Sequence, residues 1–288
     1  MVFDTFILRP SYENRNFEIP KELYHKKYDN VVLSIYINQK MDPQRNVYID
    51  TDSYEYIKPL YSTLRDNDLH GIIFYDNLSQ EFVNKYQTDK IIFLKCKIGD
   101  KTPNDERFIL FYNYLLKYPY NYVLCSDISD VYINKNPFDI MNNNTLYVGT
   151  NHNHKKPPKK WHNNWNDVIN KFNLSLKKYN YDDSGLYYVN IGIYNCGLMG
   201  GYYNIFIKFM SEYVYLLSLS EYTDDDINSV NFLTTDMLAL NYLIRKYLLQ
   251  GYNSETYCTD YVVTGLPFNS IFKEYEKLGV SKACLIHK

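Results

Sequence analysis

The sequence predicts an α/β domain in which a mainly parallel sheet is covered by helices on both faces. Two observations predict it: apolar, β-branched runs alternate with helical stretches along the chain, and the most polar junction follows directly on one of those runs.

Val31 to Asn38 (VVLSIYIN) is the first such run, and it stops at the polar loop QKMDPQR as a buried strand followed by a binding loop does. Tyr54 to Asp66 reads as a helix, Gly71 to Tyr75 as a strand ending at Asp76, Ser79 to Tyr86 as a short helix, and Lys90 to Lys95 as a further strand. Pro103 opens a helix at its first turn. Phe108, Phe111, Tyr112, Leu115 and Leu116 then recur at helical spacing until Pro119. The strand Tyr122 to Cys125 delivers the chain into SDISD. Ligands of open α/β sheets bind beyond the carboxyl ends of the strands, which puts Asp127 and Asp130 where chemistry is expected.

Asn151 to Asn166 has two prolines, four lysines, three histidines and no apolar period, so a loop of the lid or binding type is expected there. Without cysteine partners, His152, His154 and His162 read as part of a solvated flap whose lysines are alternatively available to a diphosphate. Asn195 to Gly201 reads as a second tight junction. Helices near Ile205 to Leu219 and Thr235 to Leu248 follow, with TDDDINS between them as a solvated linker. No repeat or shift in composition divides the chain, so residues 1–288 are expected to form a single domain.

Composition narrows the function. Hydrophobic residues at 45% can build a large core, while 22% charged residues and a net charge of -2 disfavour a nucleic-acid partner. The 33 tyrosines accompany many Asn, Lys and Ile residues, a bias that fits AT-rich coding of a viral or parasite kind, and their flat faces also suit sugar rings. Five widely spaced cysteines without paired spacing read as reduced thiols. No segment approaches the roughly 20 apolar residues of a membrane span, and no signal-like leader is present, so a soluble, cytoplasmic protein is expected.

Asp127 and Asp130 stand three residues apart, close enough in a turn to approach one cation and equally suited to capping that turn. Magnesium and manganese use one or two carboxylates and leave their remaining positions to phosphate oxygens and water. In YNCGLMGG, Gly197 and the Gly200–Gly201 pair permit close backbone approach and Asn195 offers a donor and an acceptor to a hydroxyl, or the cluster is a connector. Asp236 sits in the first turn of a helix, where the dipole alone favours a carboxylate. Asn38 and Asp76 at strand ends, and Arg107 on the helix before SDISD, are weaker candidates for holding a nucleotide.

The segment YVLCSDISDVYINKNPF resembles the D-x-D region of glycosyltransferases of the GT-A fold, a Rossmann-like α/β architecture, with Asp130 at the second acidic position. The first acidic position falls on Ile128, and the other carboxylate is displaced to Asp127. The resemblance extends in order of elements from Val31 to Lys288. It implies that Asp127, Asp130 and a late histidine, His287, hold Mn²⁺ or Mg²⁺, that Lys288 reaches the diphosphate, and that Asn195, Gly197, Gly200 and Gly201 line the sugar and acceptor side. It implies further that Asp236 faces the acceptor and is the base if configuration inverts. The activity so implied is transfer of a sugar from a nucleoside diphosphate, preferably UDP, to a glycan or protein hydroxyl. A metal-dependent nucleotide hydrolase and a non-catalytic sugar- or nucleotide-binding module are the alternatives.

Overall fold

The computed structural model describes residues 28–43, 45–151, 193–219, 235–249, 262–263 and 285–287. Strand β1 (Asn30–Tyr36) leads through helix α1 (Tyr54–Asp66) to β2 (Gly71–Tyr75), and through α2 (Gln80–Tyr86) to β3 (Ile91–Lys95). Both steps are parallel, with Val32 opposite Gly71 and Gly71 opposite Ile91. Helix α3 (Pro103–Lys117) then carries the chain back to β4 (Tyr122–Ser126), which pairs in parallel with the other edge of β1. The direction of winding therefore reverses between β1 and β4, and that reversal locates the crevice in which such sheets bind ligands.

Side-chain alternation explains why the strands read as continuous apolar runs. Val31, Leu33, Ile72, Phe74, Ile92 and Leu94 join one core with Phe108 and Phe111 of α3. Their neighbours Val32, Tyr36, Ile73 and Phe93 join a second core with Ile57, Leu60 and Leu64 of α1 and Phe82 of α2. Each strand is buried on both faces, so period two disappears from the hydropathy although it persists in the packing. The one polar side chain inside β1, Ser34, donates to the Ser126 carbonyl at 2.8 Å.

Helix starts follow their capping residues. The hydroxyls of Ser53, Ser79 and Thr102 accept from the backbone N–H groups of Tyr56, Phe82 and Asp105. Pro103 at the first helical position and Asp105 and Glu106 in the first turn complete the start of α3.

Past β4 the chain forms β5 (Val131–Ile133), β6 (Leu146–Asn151), β7 (Ile193–Tyr202), α4 (Tyr203–Leu219), α5 (Asp236–Leu249), β8 (Val262–Val263) and β9 (Leu285–His287). The main sheet has the order β3-β2-β1-β4-β7-β6, and β5, β9 and β8 form a small second sheet. Strand β7 is antiparallel to both β4 and β6, so the sheet is mixed as well as mainly parallel among its first four strands.

A tight junction is expected at Asn195 to Gly201, but the segment lies inside β7 and continues the sheet. A Cβ on Gly200 would stand 2.2 Å from the Val123 carbonyl oxygen, so this glycine serves the close approach of two strands rather than a turn. The flanking Leu198 and Met199 are buried on the sheet as strand residues are. Asn151 ends β6, whereas residues 152–166, with His152, His154 and His162, the TDDDINS linker and Lys288 lie outside the described residues. No described helix is long and apolar enough to cross a membrane, and Cys96, Cys125 and Cys196 are buried free thiols.

Candidate active site

A cleft opens at the reversal point between β1 and β4. It is lined by Ile35 and Ile37 from the end of β1, by Pro103, Asn104 and Arg107 from the first turns of α3, and by Asp127 to Asp130 beyond β4. Asp42, Arg45 and Ile49 from the loop after β1, and Tyr56 from α1, complete it. The two expected carboxylates thus enter one cleft. Both stand in the turn between β4 and β5, with Ile128 buried between them.

The turn is anchored from behind. Asp127 N–H donates to the Gly197 carbonyl at 2.8 Å, which brings the acidic turn against the NCG stretch of β7. Asn195 accepts from the Gly197 N–H at 2.6 Å, holding that stretch in shape. On the other side, Val131 lies opposite His287 in the β5–β9 pairing, so the strand carrying the late histidine runs against the residue after Asp130.

Arg107 organises the interior of the site. Its guanidinium pairs with Asp127 through Nη1 and donates from Nη2 to Asp236 Oδ2 at 3.1 Å. Asp236 is 1% exposed and turns inward: Oδ2 also accepts from the Cys196 thiol at 2.9 Å, and Oδ1 accepts from the Met237 N–H at 2.7 Å. A side chain facing the acceptor is expected at Asp236, and the structure instead places it behind Arg107. The start of α5 is fixed in turn by Asp105 of α3, whose carboxylate accepts from the Asp236 N–H at 2.9 Å and the Thr235 hydroxyl at 2.6 Å. Burial, then the neighbouring Asp236 charge, raise the Asp105 carboxyl from 3.8 to about 7. Burial likewise pushes the Cys196 thiol well up, which makes it a weak hydrogen-bond donor rather than a nucleophile.

At the cleft mouth Arg45 donates from Nη1 to Asp42 Oδ2 at 2.7 Å and from Nη2 to Asp130 Oδ2 at 3.3 Å. Burial works against its charge, and Asp42 and then Asp130 outweigh that penalty, so the guanidinium is held firmly protonated. The sequence does not single out Asp42, Arg45, Tyr56, Asn104 or Asp105. The available signal for the first two was their place in the polar loop immediately after β1.

Asn38 and Asp76 come together, yet they do not line the cleft. Asp76 accepts from the backbone N–H groups of Asn38 and Gln39 at 3.0 Å each, and the Asn38 amide donates to Thr51 and to the Asn77 carbonyl. They brace the loop that presents Asp42 and Arg45. Among the described residues, no three carboxylate, imidazole or thiolate groups gather closely enough to hold a metal ion. The acidic turn supplies two carboxylates three residues apart, the oxygen donors that a hard divalent cation takes, and each of them is paired with an arginine.

Fold and site together define an α/β protein with a mixed-charge cleft at the reversal point of its sheet. No family model and no curated protein sequence matches the chain. Solved structures similar to it include the galactosyltransferase LgtC in complex with donor and acceptor sugar analogues, at 12% identity over 89% of this chain and 86% of that one with a TM-score of 0.42. Mouse xyloside xylosyltransferase 1 is similar at 11% identity over 91% and 98% of the two chains with a TM-score of 0.46. GlyE of Streptococcus pneumoniae TIGR4 is similar at 13% identity over 90% and 54% with a TM-score of 0.42.

Proposed function

We propose that the chain is a glycosyltransferase of the GT-A fold that moves a sugar from a nucleoside diphosphate, with UDP preferred, to a hydroxyl of a glycan or protein. The observation that carries this reading is the charge pattern of the cleft. Asp127 and Asp130 face it beside Arg45, Arg107 and the first turn of α3, so carboxylates suited to a cation adjoin groups suited to phosphate.

In this reading Asp130, with Asp127 and His287, holds Mn²⁺ or Mg²⁺, which when bound supplies Lewis-acid stabilisation of the departing diphosphate. The protein's own residues do the rest. Arg107 and Lys288 balance phosphate charge, Asn38 and Asp76 support the nucleotide through the loop they brace, and Asn195 and Gly197 back the acidic turn on the sugar side, whereas Gly200 and Gly201 lie farther along β7 opposite Leu124 and Val123 and serve strand packing. Asp236 acts through Arg107 as a positioning residue. A general base must come within hydrogen-bond reach of the acceptor proton, whereas both Asp236 oxygens are engaged inside the protein.

Calorimetric titration with UDP, with and without Mn²⁺, tests the reading on the wild type and on Asp130→Ala. Metal-dependent binding that the substitution abolishes is expected. Binding that ignores both metal and substitution refutes the metal site, and hydrolysis of UDP-sugars without transfer to any acceptor supports a nucleotide hydrolase instead.

A further inference from the structure

The two arginines that stand on the acidic turn are not equivalent. Arg107 is tied behind by Asp236 and Cys196, and its side chain is 10% exposed, so it belongs to the framework. Arg45 lies on a short loop closed by the bridge between Asp42 and Val47, with Asn46 at a positive φ of 55°, and its side chain is 47% exposed. Its two bonds differ as well. The contact to Asp42 is a short hydrogen bond of 2.7 Å within the loop, whereas the contact to Asp130 spans the cleft at 3.3 Å.

We propose that Arg45 is an internal cation that competes with the divalent metal for Asp130, and that Asp42 retains the guanidinium at the cleft mouth when Asp130 gives it up. The proposal rests on the reading of Asp130 as a metal ligand. A divalent ion on Asp130 and a guanidinium 3.3 Å from the same carboxylate bring two positive centres close together, so each weakens the hold of the other, and of the two arginines on the turn Arg45 is the one free of the interior framework. The longer and more exposed of the two contacts is the one that yields, because a solvent-screened pair contributes little. Asp42 then keeps Arg45 beside the phosphate side of the cleft. The Arg45–Asp130 contact thereby sets how tightly the empty cleft takes a metal.

Mn²⁺ alone is the probe, followed on the full chain by loss of the free-ion electron paramagnetic resonance signal. Wild type, Arg45→Gln, Arg45→Lys and Asp130→Asn are compared, with far-ultraviolet circular dichroism to verify folding. Arg45→Gln is expected to bind Mn²⁺ about fivefold more tightly than wild type, equivalent to about 1 kcal/mol. Arg45→Lys, which keeps the charge, stays within about twofold of wild type, and Asp130→Asn loses the binding. Equal or weaker binding by Arg45→Gln, with Asp130→Asn still defective, overturns the competition and leaves the metal reading standing. Undiminished binding by Asp130→Asn, or none by any form, overturns both.

Discussion

Replacing Asp105 by asparagine should remove a pH dependence that this carboxyl imposes on folding. Asp105 is fully buried, it faces Asp236, and its pKa rises from 3.8 to about 7. An acid whose folded pKa lies above its unfolded value takes up a proton on folding between the two. The stability it lends is therefore complete below pH 3.8 and is lost as pH rises through about 7. Integrated between about pH 5 and pH 8, a shift of that size removes roughly 2–3 kcal/mol. Asparagine keeps an acceptor for the Thr235 hydroxyl or the Asp236 N–H and carries no charge at any pH. Urea unfolding across this pH range should show the wild type losing that stability and Asp105→Asn losing far less. Parallel pH profiles for the two proteins would refute the assignment of the buried proton to this residue.

Two further outcomes follow from the packing. Arg107→Met strands Asp236 without its cation and should cost about 3 kcal/mol in urea unfolding, while the double variant with Asp236→Asn recovers much of that loss, because the penalty belongs to the unpaired charge. Gly200→Ala drives a methyl group into the Val123 carbonyl oxygen, where only backbone movement makes room. It should destabilise the protein by about 2 kcal/mol or more, and a midpoint indistinguishable from wild type would count against the β4–β7 register.

The first half of the sheet is legible in the sequence because each of its strands is buried on two faces. That burial writes uninterrupted apolar runs, and Ser53, Ser79 and Pro103 mark where the intervening helices begin. Strand β7 is far less legible. Its glycines mimic a turn, and the purpose of Gly200 appears only against Val123, 77 residues earlier in the chain. The site divides the same way. SDISD announces itself by following a strand directly, but the partners of its carboxylates are 85 residues away in Arg45 and 20 away in Arg107. Asp236 looks from local sequence like an ordinary first-turn acid. Its inward orientation is decided by Arg107, at a separation of 129 residues, and by Cys196.

One helix end accounts for how these distant pieces cohere. The first turns of α3 carry Asp105 and Arg107, whose side chains diverge: Asp105 grips the start of α5, and Arg107 reaches both Asp236 and Asp127. The remainder of α3, through Phe108, Phe111 and Leu115, is sunk in the core against the sheet. Any displacement of α5 is therefore passed to the acidic turn through a helix that cannot itself shift without opening the core. The carboxylates at the cleft are thus positioned by a helix sunk in the core, while the loop bearing Arg45 and Asp42 is tied by the Asp76 and Asn38 brace, by Lys40 to the Lys101 carbonyl and by Arg45 to Asp130. An acidic turn fixed from the core side therefore faces a cationic loop tied largely by polar contacts, and those are the bonds that a charged ligand entering the cleft can exchange.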